Sequence, residues 1–414
     1  MSRGGRVART ALTTVALVLV ASACGSSSSD DPSVVRWYVA AGDVGSTALA
    51  ETCEPSLGED LSLEVVELPA DPDALHTTLV RRLDADPSSV DLMTLDGALV
   101  PELGTAGFLA PVPSAARTAL ADGVLPQALE QTVVDDRMVA APWLFDPQLL
   151  WFRNVTAERA GLDVTKPIAW ADLISGARRL GVSVQMTDDL GSGLVDWVSA
   201  LVASSGGTLL QGAGPDAKVG LGGAPGRQAA ALVQQVAESG VGPGPDAAAV
   251  EAFAGIDGGF LLAPGTAYTD PSLTALQPEL GVVQYPRVGE TEAVPPARGT
   301  VLAVSAGSRH RSEVFDLVQC LAADETVASI VLSTGHAPAR PAVLADRSVR
   351  SALPFARTLA AAQKAARPAP VTPYWTAVRR AVVDTWSPIS GVTTDRTPTD
   401  SQAAVRAALR GELP

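Results

Sequence analysis

Apolar and polar positions follow each other in a regular succession from residue 34 onward. The run "VVRWYVA" (34–40) is β-branched and aromatic, which predicts a strand. "STALAETC" (46–53) predicts a helix with Ser46 and Thr47 as candidate caps. "LSLEVVEL" (61–68) alternates roughly and predicts a second strand. "DPDALHTTLVRRLDA" (71–85) has apolar residues near helical spacing, and "VDLMTLD" (90–96) is a short apolar run suited to a fully buried strand. Strand, helix, strand, helix, strand implies parallel βαβ units. The acidic end of the third strand would then sit at the carboxyl edge, where open α/β sheets bind ligands.

The segment "MVAAPWLFDPQLLWFR" (138–153) is strongly apolar, but Pro142 and Pro147 interrupt it. Proline removes a helix hydrogen bond and clashes with the preceding turn, so one helix is excluded. An extended chain crossing between two lobes is expected instead. Helices are predicted over 165–181 and 193–206, the second stopped by Gly206–Gly207. The Gly/Ala/Pro-rich stretch 211–249 gives weak signals. "GGFLLAP" (258–264) and "GTVLAVSAG" (299–307) predict strands. "SEVFDLVQCLAAD" (312–324) is an amphipathic helix whose pattern continues to Gly335. Residues 372–386 predict another helix, and "DSQAAVRAALRGEL" a closing one with Asp400 as its cap. At 414 residues, two α/β lobes are the expected organisation.

The N-terminus adds a cellular address. Arg3, Arg6 and Arg9 precede a ten-residue apolar core (11–20), then Ala21-Ser22-Ala23 and Cys24. Ten residues make a helix of about 15 Å, half of what a bilayer core of about 30 Å requires. The pattern is that of an export signal. The serine- and aspartate-rich 25–33 then reads as a flexible tether. Loss of 1–23 removes three of the 30 basic residues, leaving 27 against 45 acidic, a net charge of −18. No basic patch remains for phosphate contacts, so nucleic acid is excluded as a partner. Hydrophobic residues at 47% and charged residues at 18% suit a large core. In an oxidising compartment Cys53 and Cys320 can form a disulfide; two unpaired buried cysteines are the alternative.

Little catalytic chemistry is present. His76, His310 and His336 are scattered, without metal-ligand spacing, so neither a metal nor a catalytic histidine is expected. No Gly-x-Ser-x-Gly elbow and no phosphate-cradling loop occur, and no cofactor is expected. Carboxylates and aromatics do gather near predicted strand ends and loops: Asp43, Asp96, Trp143, Asp146, Trp151, Trp197, Tyr374 and Trp375. Carboxylates accept hydrogen bonds from sugar hydroxyls, and aromatic faces cover the apolar faces of pyranose rings. That is the composition of a carbohydrate cleft, with a few polar groups among apolar walls.

The ordered set "WYVAAGD", "VDLMTLD", "AAPWLFDPQLLWFR", "GLVDWVSALVASSGG", "RSEVFDLVQCLA", "STGHAPAR" and "ARPAPVTPYWTAVRRAV" spans roughly 34–392. Together with the N-terminal pattern it resembles the extracellular solute-binding lipoproteins of ABC sugar importers, most of all the trehalose-binding branch of actinobacteria. The resemblance implies a two-lobed periplasmic-binding-protein-like fold (type II), with a hinge between the lobes and ligand in the cleft. Lobe 1 would comprise 34–141 and 265–335, and lobe 2 would comprise 142–264 and 336–414, with Cys53 and Cys320 in the same lobe. It implies a signal peptide over 1–23, a lipidated Cys24, a tether to residue 33, ABC permease subunits as partners and a monomer anchored on the outer face of the membrane. The sugar-binding residues it implies are Asp43, Asp96, Asp146, Arg340 and Trp375, and Trp143, Trp197 and Tyr374 join them as candidates from the gathering of aromatics and carboxylates. Two departures stand out. Residues 253–268, "FAGIDGGFLLAPGTAY", lack the lysine of the family's "F-x-x-G-K-A-A"-like segment and the acidic and tryptophan residues that usually follow it. The chain is also shorter around 265–298, so one wall of the pocket differs. Two other readings compete: an anchored glycoside hydrolase with Asp96 and Asp146 as acid and base, and an envelope scaffold with a non-sugar ligand or none.

Overall fold

The strand–helix succession at the start of the chain builds the first of two five-stranded sheets. In the computed structural model the described residues are 1, 31–41, 45–188, 192–242, 244–256 and 258–412. Cys24 and Asp43 lie outside the described residues, as does the signal segment 2–23. The chain divides into Met1–Pro32 and Ser33–Pro414, and the fold below is that of the second unit.

Ten strands, numbered in chain order, make the two large sheets. The first holds β1 (Val34–Ala40), β2 (Ser62–Leu68), β3 (Leu92–Asp96), β4 (Ala141–Pro147) and β10 (Ala297–Val304), in spatial order β2-β1-β3-β10-β4. The second holds β5 (Leu149–Arg153), β6 (Ser183–Thr187), β7 (Pro245–Asp246), β8 (Gly258–Ala263) and β9 (Leu280–Gln284), in order β7-β6-β8-β5-β9. In each, parallel strands are followed by one antiparallel strand inserted before the edge. β10 runs antiparallel between β3 and β4; β5 runs antiparallel between β8 and β9. The protein is a mixed α/β, two-lobed molecule of the periplasmic-binding-protein type.

The proline-interrupted segment 138–153 makes the crossing. β4 ends at Pro147 in the first sheet and β5 begins at Leu149 in the second, with only Gln148 between them. The chain returns between β9 and β10. Sheet membership thus differs from the expected boundaries. Residues 142–147 pair in the first sheet, and 280–284 pair in the second although a first-lobe position was expected. Hydrogen-bonding partners from distant segments choose the sheet, and local pattern does not reveal them.

Burial explains why these strands read as continuous apolar runs. In β5, Leu149 and Trp151 enter one core cluster while Leu150 and Phe152 enter another. β8 does the same with Leu261 and Ala263 against Phe260 and Leu262. Cys53, ending the helix Ser46–Cys53, is joined by a disulfide to Cys320 in the helix Arg311–Leu321, closing a separation of 267 residues.

Three local expectations change. The pattern running from 312 to Gly335 is two helices, Arg311–Leu321 and Asp324–Thr334, broken at Ala322–Ala323. Asp324 and Glu325 occupy the second helix's first turn, where carboxylates are favoured. The closing helix starts at Thr397 with Pro398 in its first turn, so Asp400 lies inside the helix and is not its cap. The weak stretch 211–249 holds a 16-residue helix, Ala224–Ser239.

Candidate functional site

β3 terminates at Asp96, where the chain turns into a short 3-10 segment, Gly97–Leu99. Register then places three charged side chains together. Asp96 lies opposite Thr300 on β10, and Arg298 lies opposite Asp146 on β4. Arg298 and Thr300 are two residues apart, so both point to one face, and directly paired residues share that face. Asp96, Arg298 and Asp146 therefore form a row at the carboxyl edge of β3.

The contacts assign each a different part. Arg298 donates from Nη2 to Asp96 Oδ2 at 3.2 Å. The other Asp96 oxygen accepts from the Ala98 backbone N–H at 2.9 Å, shaping the turn. The Asp96 and Arg298 side chains are 29% and 26% exposed. Asp146 is buried. Its Oδ1 accepts from the Ala337 N–H at 2.6 Å, and its Oδ2 accepts from His336 Nδ1 at 2.8 Å. A carboxylate can only accept, so Nδ1 carries the proton there. Asp146 is thus a positioning group, and the side chain it holds at the surface is His336.

The opposite lobe meets this edge through the helix Trp375–Trp386, which follows Tyr374. The Gly97–Leu99 turn packs against that helix, and Ala98 joins the same apolar cluster as Trp375. Trp375 lines a small pocket with Asp196, Ser199, Pro295, Pro296 and Arg367. Tyr374 is half-buried against the same cluster. Further along the junction, Arg379 pairs with Asp73, and Arg380 Nη2 lies 3.6 Å from Asp73. Thr376 donates to Glu102 Oε2 at 3.2 Å, while Glu102 Oε1 holds His76 Nε2 at 2.8 Å. The hydrogen bond with Glu102 raises the His76 pKa above its ordinary value, against the opposing effect of burial.

Three expected sugar contacts are placed elsewhere. Trp143 lies in the first lobe's core, edge-on to Trp37 at 6.3 Å, and donates from Nε1 to the Leu321 carbonyl at 3.0 Å. Trp197 is 1% exposed and packs on Trp170 at 5.8 Å. Trp151 is buried too, between Tyr268 and Phe355. Aromatics are only 4% of this chain, and each supplies a large apolar area that the cores take up. Arg340 donates to Asp324 Oδ1 at 2.7 Å and to the Ala119 carbonyl at 3.0 Å, tying together two helices behind the sheet. Of the eight expected residues, the structure thus gathers Asp96, Asp146, Tyr374 and Trp375 near the junction of the lobes. Arg298 and His336 were not singled out as binding residues in the sequence. Arg298 stands 202 positions from Asp96, and only strand register reveals the pair.

This geometry is a junction between lobes, one side edged with the charges of Asp96 and Arg298 and the other formed by the helix whose first residue, Trp375, is buried in the second lobe's apolar cluster. The model for bacterial extracellular solute-binding proteins matches residues 65–328. The chain belongs to that family. Solved structures share the solute-binding protein's fold across nearly its whole length. T. maritima MalE3 with maltose bound is 20% identical, with 92% of this chain and 100% of that chain covered and a TM-score of 0.75. The GacH receptor of Streptomyces glaucescens GLA.O, solved unliganded and with acarbose, is 19% identical, with 91% and 98% covered and a TM-score of 0.76. An ABC transporter solute-binding protein of Thermotoga lettingae TMO, bound with alpha-D-tagatose, is 16% identical, with 91% and 99% covered and a TM-score of 0.76. Among the described residues, no helix is long and apolar enough to cross a membrane, and no group of three His, Cys, Asp or Glu could hold a metal ion.

Proposed function

We propose that this solute-binding protein is the sugar receptor of an ABC importer, anchored by lipid at Cys24 to the outer face of the membrane. It captures a neutral sugar, a disaccharide such as trehalose or a similar one, acts as a monomer, and hands the sugar to the permease subunits. One observation carries the reading: Asp96, with its carboxylate partly exposed at the edge of the first sheet, heads the Gly97–Leu99 turn, which packs on the opposite lobe's helix that begins at Trp375. A carboxylate orients hydroxyls and an indole covers an apolar sugar face, the division of labour common in small-molecule pockets. Relatives of the same fold were solved with maltose, acarbose and tagatose. Asp43, which follows β1 in the sequence, is a further candidate contact. The serine tether and lipid would keep the receptor near its permease, raising its effective concentration.

Isothermal titration of the full chain with trehalose, maltose and tagatose tests the reading. Equimolar binding of at least one is expected. Replacing Trp375 by Ala should weaken that binding about tenfold or more, which is about 1.4 kcal/mol. A chain that gives no heat and no thermal shift with any of these sugars would count against it.

A further inference from the structure

We infer that Arg298 is a ligand-binding, specificity-determining residue, and that Arg298 and Asp96 together take a vicinal diol of a neutral, polyhydroxylated solute. The inference deepens the sugar-receptor reading and rests on it. Arg298 is the second residue of β10 and pairs with Asp146 on β4, one residue before Pro147, where the chain crosses to the opposite lobe. A guanidinium has five N–H donors in a planar fork. Among the described residues, the side chain makes a single hydrogen bond, from Nη2 to Asp96 Oδ2 at 3.2 Å. Three-quarters of the side chain is buried, so its remaining donors lie in a partly dry environment where an acceptor is worth most.

The neighbouring charges select the class of solute. Asp96 and Asp146 flank Arg298 on one face of the sheet. An anionic group on Arg298 would be repelled by both carboxylates. A cationic group reaching Asp96 would be repelled by Arg298. A neutral diol suits both partners at once, because one hydroxyl donates to the Asp96 carboxylate while its neighbour accepts from the guanidinium. The Oδ2-to-Nη2 gap of 3.2 Å is close to the spacing of hydroxyl oxygens on adjacent carbons. Lysine in place of Arg298 would keep the charge but lose the fork.

The test is isothermal titration of wild type, R298Q and R298K, with melting curves as the folding control. The probes are trehalose, maltose, ribitol, glucuronate as an acid, and single-deoxy analogues of whichever neutral solute binds. Wild type should bind a neutral probe better than glucuronate and should lose affinity for one deoxy analogue. R298Q should bind about tenfold more weakly or worse and should no longer distinguish that analogue, with R298K between the two. If R298Q melts before it can be titrated, R298K alone must show the weakening. A folded variant binding within about twofold of wild type overturns the assignment of Arg298. Preference for glucuronate, abolished in R298Q, overturns the neutral-diol assignment. If wild type binds no neutral probe, the sugar-receptor reading itself falls and this inference with it, an outcome recognisable because the wild-type arm is silent.

Discussion

Glu102 is used from both of its oxygens, one by His76 in its own lobe and one by Thr376 from the other. His76 also feels Asp73 and Arg379, the first raising and the second lowering its pKa. The net shift is upward from 6.5, with the Glu102 hydrogen bond as the largest cause. A group whose pKa is higher folded than unfolded stabilises the fold fully below the unfolded value, and that contribution fades as pH rises through the folded value. Raising the pH from below about 6.5 should therefore lower the melting temperature. H76Q should show a flatter dependence over the same window. Parallel melting curves for H76Q and wild type would show that the pair contributes nothing. At this scale the sequence was informative about residue type and poor about orientation. Asp96 stands at its strand end as expected, whereas Trp143 and Trp197 are core residues. A tryptophan in a strand or helix carries the same local signal whichever face it occupies.

Among the elements, the helix Asp324–Thr334 was legible down to its stop. It ends at Gly335, with φ of 74°, a left-handed cap that glycine adopts without penalty. A Cβ there would meet the Gly265 carbonyl oxygen at 2.8 Å, so the end of this helix and the segment after β8 approach too closely for a side chain. The next residue is His336, which Asp146 holds. G335A should lower unfolding stability by about 1–3 kcal/mol, read as a shift in denaturant midpoint. An unchanged midpoint would mean that the turn relaxes freely. Other elements were hidden. The helix Ala224–Ser239 opens with Ala-Pro-Gly and follows several glycines, and those residues masked its apolar face. β9 was missed because a five-residue strand carries little periodicity.

At the scale of the whole molecule, charge pairs join the lobes across the junction. Asp73, in the first turn of the helix Pro72–Ala85, meets Arg379 and Arg380. Partly exposed pairs of this kind contribute about 0–1 kcal/mol each, enough to change an open-to-closed ratio about fivefold. The double variant D73A/R379A should therefore have a larger radius of gyration than wild type in ligand-free small-angle scattering, and any bound sugar should dissociate faster. Identical scattering curves would show that these pairs do not hold the lobes together.

The sequence by itself determined the α/β succession, the extended crossing at the two prolines, the helix stop at Gly335 and Asp96 at the end of β3. Each follows from periodicity, proline and glycine chemistry within a few residues. Only the tertiary structure decided that 280–284 joins the second sheet, that the large aromatics fill cores, and that Arg298 stands beside Asp96 while Asp146 holds His336. These depend on strand register and packing between distant segments, Asp96 and Arg298 lying 202 positions apart, and neither leaves a trace in local pattern.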